Sequence, residues 1–182
     1  DPDDSVVTVP LQGVATAPDP TPNRLTVGFG EVSTDAASDT VVVGITNDGG
    51  APANVTGVSV TDTSNFTLVS GFNETLVPGE TGAVAVRASP TDGVRTSANL
   101  TVTTAGPNTV PNVELVSTGV TPVASVSNPI DGDFGEIGRS SSTVRTISVR
   151  NNGEATLALR DIGASGEAFR VIGAQQRIPL AS

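Results

Sequence analysis

From Asp39 to Thr46, the residues Val41, Val43 and Ile45 occupy alternate positions, giving an extended strand one apolar face, and the run ends in Asn47-Asp48-Gly49-Gly50. The same grammar recurs along the chain. Arg24–Val32, Ala53–Val60, Phe66–Val69, Gly82–Ala88, Ala98–Thr104 and Val110–Ser117 each read as a short strand bounded by turn residues. The Asn-Asp-Gly-Gly turn offers residues that tolerate positive φ. In Leu76-Val77-Pro78-Gly79-Glu80, Pro sets φ at the first turn position and Gly accepts positive φ at the second, a type II pair. Phe29 is expected to plug the core where the first strand crosses between sheets, with Gly30 allowing the bend.

Residues 23–121 thus carry about seven strands, the number expected of an immunoglobulin-like sandwich. The pattern then starts again. Phe29-Gly30-Glu31-Val32 returns as Phe134-Gly135-Glu136-Ile137, a spacing of 134 − 29 = 105 residues, and the first turn is matched by Arg150-Asn151-Asn152-Gly153-Glu154. Val43 pairs with Ile147, Val55 with Leu159, Val58 with Ile162, Phe66 with Phe169 and Leu76 with Leu180. A period of one sandwich means tandem modules. The fold class expected is all-β, with tandem immunoglobulin-like β-sandwich modules of about seven strands each.

Four segments follow. Val6–Thr16 reads as one strand, and Gly13 aligned with Gly119 makes residues 1–16 the final strand of a preceding sandwich. Residues 17–22, Ala-Pro-Asp-Pro-Thr-Pro, are a stiff Pro-rich linker. Residues 23–121 form a complete sandwich, and 122–182 the first half of a second copy, because Leu180 falls where Leu76 precedes the last three strands. A half sandwich leaves an open apolar face and unpaired edges, so a longer array, or strands added from another copy, is expected to complete it. Val6–Val14 would supply one strand where three are missing.

The opening strand into Phe-Gly-Glu-Val, the strand ending in Asn-Asp-Gly, Phe66, the Leu-Val-Pro-Gly-Glu turn, the Val-rich strand into Ser89-Pro90-Thr91 and the closing Val-Glu-Leu with Thr118-Gly119 resemble the ASH/hydin-like domains. They look most similar to the choice-of-anchor D repeats of microbial surface proteins. The resemblance implies an immunoglobulin-like spacer or interaction module of secreted proteins, and no catalytic residues.

Composition narrows the chemistry. With no His, Cys, Tyr, Trp or Lys, the usual general bases, thiol nucleophiles, Schiff-base formers and soft-metal ligands are missing. No catalytic residue, cofactor or metal is expected. The densest acidic clusters, Asp1-Pro2-Asp3-Asp4 and Asp131-Gly132-Asp133 with Glu136, lack the ligand register of an EF-hand and read as solvated loops. All nine basic residues are Arg, against 19 Asp plus Glu, for a net charge of −10. That balance argues against nucleic-acid binding, which needs a basic patch. A Lys-free acidic surface is also similar to those of halophilic, notably haloarchaeal, proteins, where carboxylates keep the chain hydrated in concentrated salt. No apolar run is long enough to span a bilayer, so no membrane contact is expected within the segment.

Four Asn-Xaa-Thr sequons make Asn54, Asn65, Asn73 and Asn99 candidate N-glycosylation sites. In three of them the middle residue, Val55, Phe66 or Leu100, is a core position, so the flanking Asn and Thr point outward. The functional expectation is a noncatalytic structural or adhesive module of an extracellular surface protein, acting as spacer or display array. Its partners would be neighbouring domains or protein subunits, and covalently attached glycans. Two alternatives stand beside it: a subunit of an external assembly such as a filament, fibre or virion spike or tail, completed by another chain, and a noncatalytic spacer of a secreted enzyme.

Overall fold

In the computed structural model, the structure describes residues 8–106, 108–127, 132–173 and 178–180. Every regular element among them is a strand. The strands β1 (Pro20–Pro22), β2 (Thr26–Ser33), β3 (Val41–Asn47), β4 (Ala53–Val60), β5 (Phe66–Ser70), β6 (Thr75–Leu76), β7 (Thr81–Ala88), β8 (Arg95–Thr104) and β9 (Val113–Val120) form two sheets. One has the order β1-β3-β7-β5, the other β2-β9-β8-β4-β6. Their inner faces share one core. Val43, Ile45, Val84 and Val86 come from the first sheet and Val55, Leu100 and Leu115 from the second, each no more than 1% exposed. Burying each such side chain is worth about 1.5–3 kcal/mol, and β-branched Val suits the pleated surface on which it stands.

The seven strands expected within residues 23–121 are present, with boundaries shifted by a few residues. The chain passes from the first sheet to the second at residues 23–25, between β1 and β2, and β2 then runs parallel to β9. Phe29 therefore does not mark the crossing. It lies inside β2, half-buried beside Phe66 with ring centroids 6.0 Å apart. Gly30 has φ +69 where the β2–β9 register shifts between Gly28 and Glu31, so its freedom serves a β-bulge rather than a bend between sheets. The type II reading of Pro78-Gly79 agrees with the structure: Gly79 has φ +83 and Glu80 N donates to Val77 O at 2.9 Å.

Part of the supposed linker is also strand. Pro20–Pro22 is the edge strand β1, antiparallel to β3. Asn23 N donates to Gly44 O and Asp48 N to Asp19 O, both at 2.9 Å, which aims positions 19 and 23 at β3 and leaves the two prolines at positions facing the free edge. There a missing N–H costs nothing and blocks further pairing. Residues 8–19 carry no strand, and Val9, Leu11 and Val14 stand exposed, Leu11 by 92%. Val6 and Val7 lie outside the described residues.

After β9 come two isolated pairs, β10 (Ala124–Ser127) with β11 (Ser148–Asn151) and β12 (Leu157–Leu159) with β13 (Ile178–Leu180). Both repeat pairings already made. Pro20↔Asn47 becomes Ala124↔Asn151 and Ala53↔Leu76 becomes Leu157↔Leu180, each displaced by 124 − 20 = 157 − 53 = 104 residues. Within the large sheets, the pairings β1 to β6 make among themselves are β1–β3 and β4–β6, while the others use β7, β8 or β9. What recurs is thus the set needing none of those three strands. Gly135 repeats the φ of Gly30 at +69, and Phe134 meets Phe169 at 5.5 Å as Phe29 meets Phe66. Burial of the large apolar side chains does not recur: Phe169 is 52% exposed where Phe66 is 1%, and Ile147 is 55% exposed where Val43 is 0%.

Candidate functional site

Asn47, the last residue of β3, is fully buried, and its side chain makes four hydrogen bonds. Its Nδ2 donates to Ala51 O at 2.8 Å and to Leu76 O at 2.9 Å. Its Oδ1 accepts from Asp19 N at 3.0 Å and Gly49 N at 3.2 Å. The backbone of Asn47 joins in, donating to Glu80 O and accepting from Gly79 N. One residue thereby ties the incoming chain at Asp19, its own turn, β6 and the Pro78-Gly79 turn. Burying an amide is tolerable because both its donors and its acceptor are used.

The glycine two residues on is explained by the same arrangement. A Cβ on Gly49 would sit 2.3 Å from Ala17 O, 2.4 Å from Asp19 N and 2.7 Å from Pro18 C. The incoming peptide crosses directly over it, fastened by Gly50 N donating to Ala17 O at 3.1 Å and by Asn108 Nδ2 donating to Pro18 O. Neither Gly49 nor Gly50 has positive φ, which corrects the positive-φ reading of this turn: it needs glycine for close approach, not for a left-handed backbone.

The clip is built twice. Asn151, 6% exposed, donates from Nδ2 to Ala155 O at 2.7 Å and accepts at Oδ1 from Val123 N at 3.2 Å and Gly153 N at 3.0 Å. A Cβ on Gly153 would meet Thr121 O at 2.2 Å, Val123 N at 2.4 Å and Pro122 C at 2.8 Å. Asn152 N donates to Val123 O at 2.8 Å, and Glu154 N and Ala155 N to Thr121 O at 3.1 and 3.4 Å. β9 ends at Val120 and β10 begins at Ala124, so Thr121-Pro122-Val123 is the whole connection and is held along its length. Sequence reasoning found the two turns but not the clip, although Pro18 and Pro122 stand 104 residues apart, as Gly49 and Gly153 do.

The four sequon asparagines divide. Asn54 on β4, Asn99 on β8 and Asn73 in the β5–β6 connection are exposed. Asn65 is half-buried and engaged: Nδ2 donates to Asp62 Oδ2 at 2.8 Å, and Oδ1 accepts from Thr91 N at 3.0 Å and Thr91 Oγ1 at 3.2 Å. The Asn65 amide holds the Asp62 carboxyl below its ordinary range, against the opposing effect of burial and with lesser help from the backbone N–H groups of Ser64 and Asn65. Val55, Phe66 and Leu100 are buried, as the alternation requires.

The acidic clusters assemble little. Asp1, Asp3, Asp4 and Asp131 lie outside the described residues, and Asp133 accepts from Gly135 N at 2.7 Å. Among the described residues no group of three His, Cys, Asp or Glu is placed to hold a metal ion. One open cleft of about 400 Å³ lies beside Phe29 and Val41, and another of about 790 Å³ is bordered by Glu31, Asp35, Glu154 and Arg160. Among the described residues no helix is long and apolar enough to cross a membrane.

No family model and no curated protein matches the chain. Solved structures that align with it include the VesB protease of Vibrio cholerae, at 15% identity and TM-score 0.45 over 54% of this chain. The secreted serine protease VesC of the same organism aligns at 16% identity and TM-score 0.42 over 53%. A chaperone–tip adhesion subunit pre-assembly complex from the archaic chaperone-usher Csu pili of Acinetobacter baumannii aligns at 14% identity and TM-score 0.39, over 78% of this chain and 81% of that one. The chain spans 31% of the VesB chain and 22% of the VesC chain.

Proposed function

We propose that the chain is a noncatalytic structural stretch of an extracellular surface protein, in which tandem immunoglobulin-like modules of about seven strands act as a spacer or display array. The observation that carries this reading is the return, 104 residues on, of two sheet registers together with the Asn-Xaa-Gly clip. A connection with no slack suits a spacer, because it fixes how one unit follows the next instead of letting them swivel. The resemblance to ASH/hydin-like and choice-of-anchor D repeats agrees with the same reading.

A graft tests it. Residues 77–121 fused after Leu180 would supply counterparts of β7, β8 and β9 in the register the first sandwich uses. The fusion is expected to bury Phe169 and Ile147, to lose dye binding at exposed apolar surface, and to show two cooperative units of similar size. A fusion that keeps the apolar surface and leaves the region after 122 unprotected from amide exchange overturns the reading.

The second reading, an assembly subunit completed by another chain, draws on the apolar side chains left open at Phe169, Ile147, Val144 and Ile172. Sedimentation of the ungrafted chain separates the two. Concentration-dependent association that the graft abolishes supports completion in trans, while a monomer at all concentrations supports completion within one polypeptide.

A further inference from the structure

Among the described residues the asparagines fall into two classes. Side-chain amides of Asn23, Asn47, Asn65, Asn108, Asn151 and Asn152 are spent on hydrogen bonds within the fold. Asn54, Asn73, Asn99 and Asn112 are exposed, and among the described residues their side chains bond to nothing. Three of those four stand in Asn-Xaa-Thr sequons, whereas among the engaged ones Asn65 is the one that does. Free amides and acceptor motifs thus coincide, though nothing in the packing of an exposed strand face demands Asn there.

From this coincidence we propose that Asn54, Asn73 and Asn99 carry N-linked glycans and that Asn65 does not. The sugar attaches at Nδ2. At the three free positions that atom faces solvent, and Val55 and Leu100 behind Asn54 and Asn99 anchor the strand so that Asn and Thr share the outer face of the five-stranded sheet. At Asn65 the same atom is turned into a half-buried corner against Asp62, while Oδ1 holds Thr91. A glycan there would displace the contacts that fasten the 89–91 turn to the start of β5.

The placement suggests what the glycans do. Asn54 pairs across the ladder with Thr75 of β6, and Asn73 lies two residues before it, so two glycans flank the short edge strand of that sheet. A bulky hydrophilic cover at a short edge opposes pairing with a neighbouring chain. The segment after β9 has no sequon, and Ala158 stands where the 104-residue displacement puts Asn54, so the cover belongs to the first sandwich.

The inference rests on the reading of the chain as exported, so the experiment supplies export. The full chain is secreted behind an added leader from a host with N-glycosylation, and its glycans are released enzymatically in heavy-oxygen water to mark each occupied Asn. Label at Asn54, Asn73 and Asn99, with occupancy at Asn65 lower by about fivefold or more, is expected. No label at the three sites, or equal label at Asn65, overturns the proposal. The N54Q/N73Q/N99Q chain is expected to keep the wild-type melting temperature, since those amides touch nothing, and to associate at lower concentration than the glycosylated chain. Unchanged association overturns the edge-covering role. Failure of the array reading would show instead in the graft, which needs no glycan.

Discussion

Replacing Asn47 removes four hydrogen bonds at one buried point. In Asn47→Ala the carbonyls of Ala51 and Leu76 lose their donor and the N–H groups of Asp19 and Gly49 lose their acceptor. At about 0.5–1.5 kcal/mol net for each bond, with more for a group that water cannot reach, the loss is about 3–5 kcal/mol. A single domain is stable by about 5–15 kcal/mol, so the variant loses a large share of that margin. Its melting temperature should fall by about 15–30 °C. Asn112→Ala, at an exposed side chain with no hydrogen bond among the described residues, should stay within about 0.5 kcal/mol of the parent.

The isosteric change Asn47→Asp tests the chemistry rather than the volume. Its oxygens can still accept from Asp19 and Gly49, but toward Ala51 and Leu76 it presents an acceptor to two carbonyls. Burial and those carbonyls disfavour the charged form, so the folded-state pKa lies above the unfolded value of about 3.9. A raised acid stabilises the folded state below its unfolded pKa, and that contribution is lost as pH rises through the folded pKa. Relative to wild type, Asn47→Asp should therefore be least destabilised near pH 4 and increasingly so toward neutrality, whereas Asn47→Ala shows a flat difference. Denaturant melts across pH measure both. A loss below about 1 kcal/mol for Asn47→Ala, or no relative pH dependence for Asn47→Asp, would refute the role assigned to the clip.

Gly49→Ala should destabilise well beyond Gly79→Ala in the same melts, because a Cβ at 49 collides with backbone at 2.3 Å while Gly79 has φ +83 and open space around it; about 1 kcal/mol is expected at 79 and more than about 2 at 49. Ser117 is 1% exposed and its hydroxyl has no partner, nor has that of Thr96 opposite it, so Ser117→Ala should leave stability unchanged or raise it by up to about 1 kcal/mol in thermal melts. Asp62, held low chiefly by Asn65, contributes stability that is present above its unfolded pKa and lost as pH falls through its folded one. Asn65→Ala should move its carboxyl titration upward by NMR and remove that part of the acid dependence.

Strand content was legible because one face of each strand is buried. Val41, Val43 and Ile45, or Ala98 and Leu100, announce an inner face by alternation, and register follows from it. The clip was not legible in the same way, since it is defined by where distant backbone passes. Asn47-Asp48-Gly49 carries turn residues whether glycine is needed for φ or for room, and only the position of Ala17–Asp19 decides between them. The engagement of Asn65 was hidden for a related reason: a sequon is a local pattern, while the amide's hydrogen bonds depend on Asp62 and Thr91, the latter 26 positions away. Strand β1 was read as linker because Pro at two of three positions looks incompatible with a ladder, and an edge is the one place where it is not.

The two kinds of contact in this chain differ in how far they reach. The β2–β9 pair joins Thr26 to Glu114, so a sandwich closes only when its last strand is in place. The clip joins residues 17–19 to 47–51 and to Leu76, and beyond these it takes one side-chain bond from the β8–β9 connection, Asn108 Nδ2 to Pro18 O. Its second copy is formed around Asn151, beside the pairs β10–β11 and β12–β13. Loop closure over the shorter span costs less entropy, so a chain emerging from its N-terminus can fasten each incoming peptide before the unit it leads into is finished. The joint at Thr121-Pro122-Val123 would then be set by contacts of shorter reach than those that complete a core.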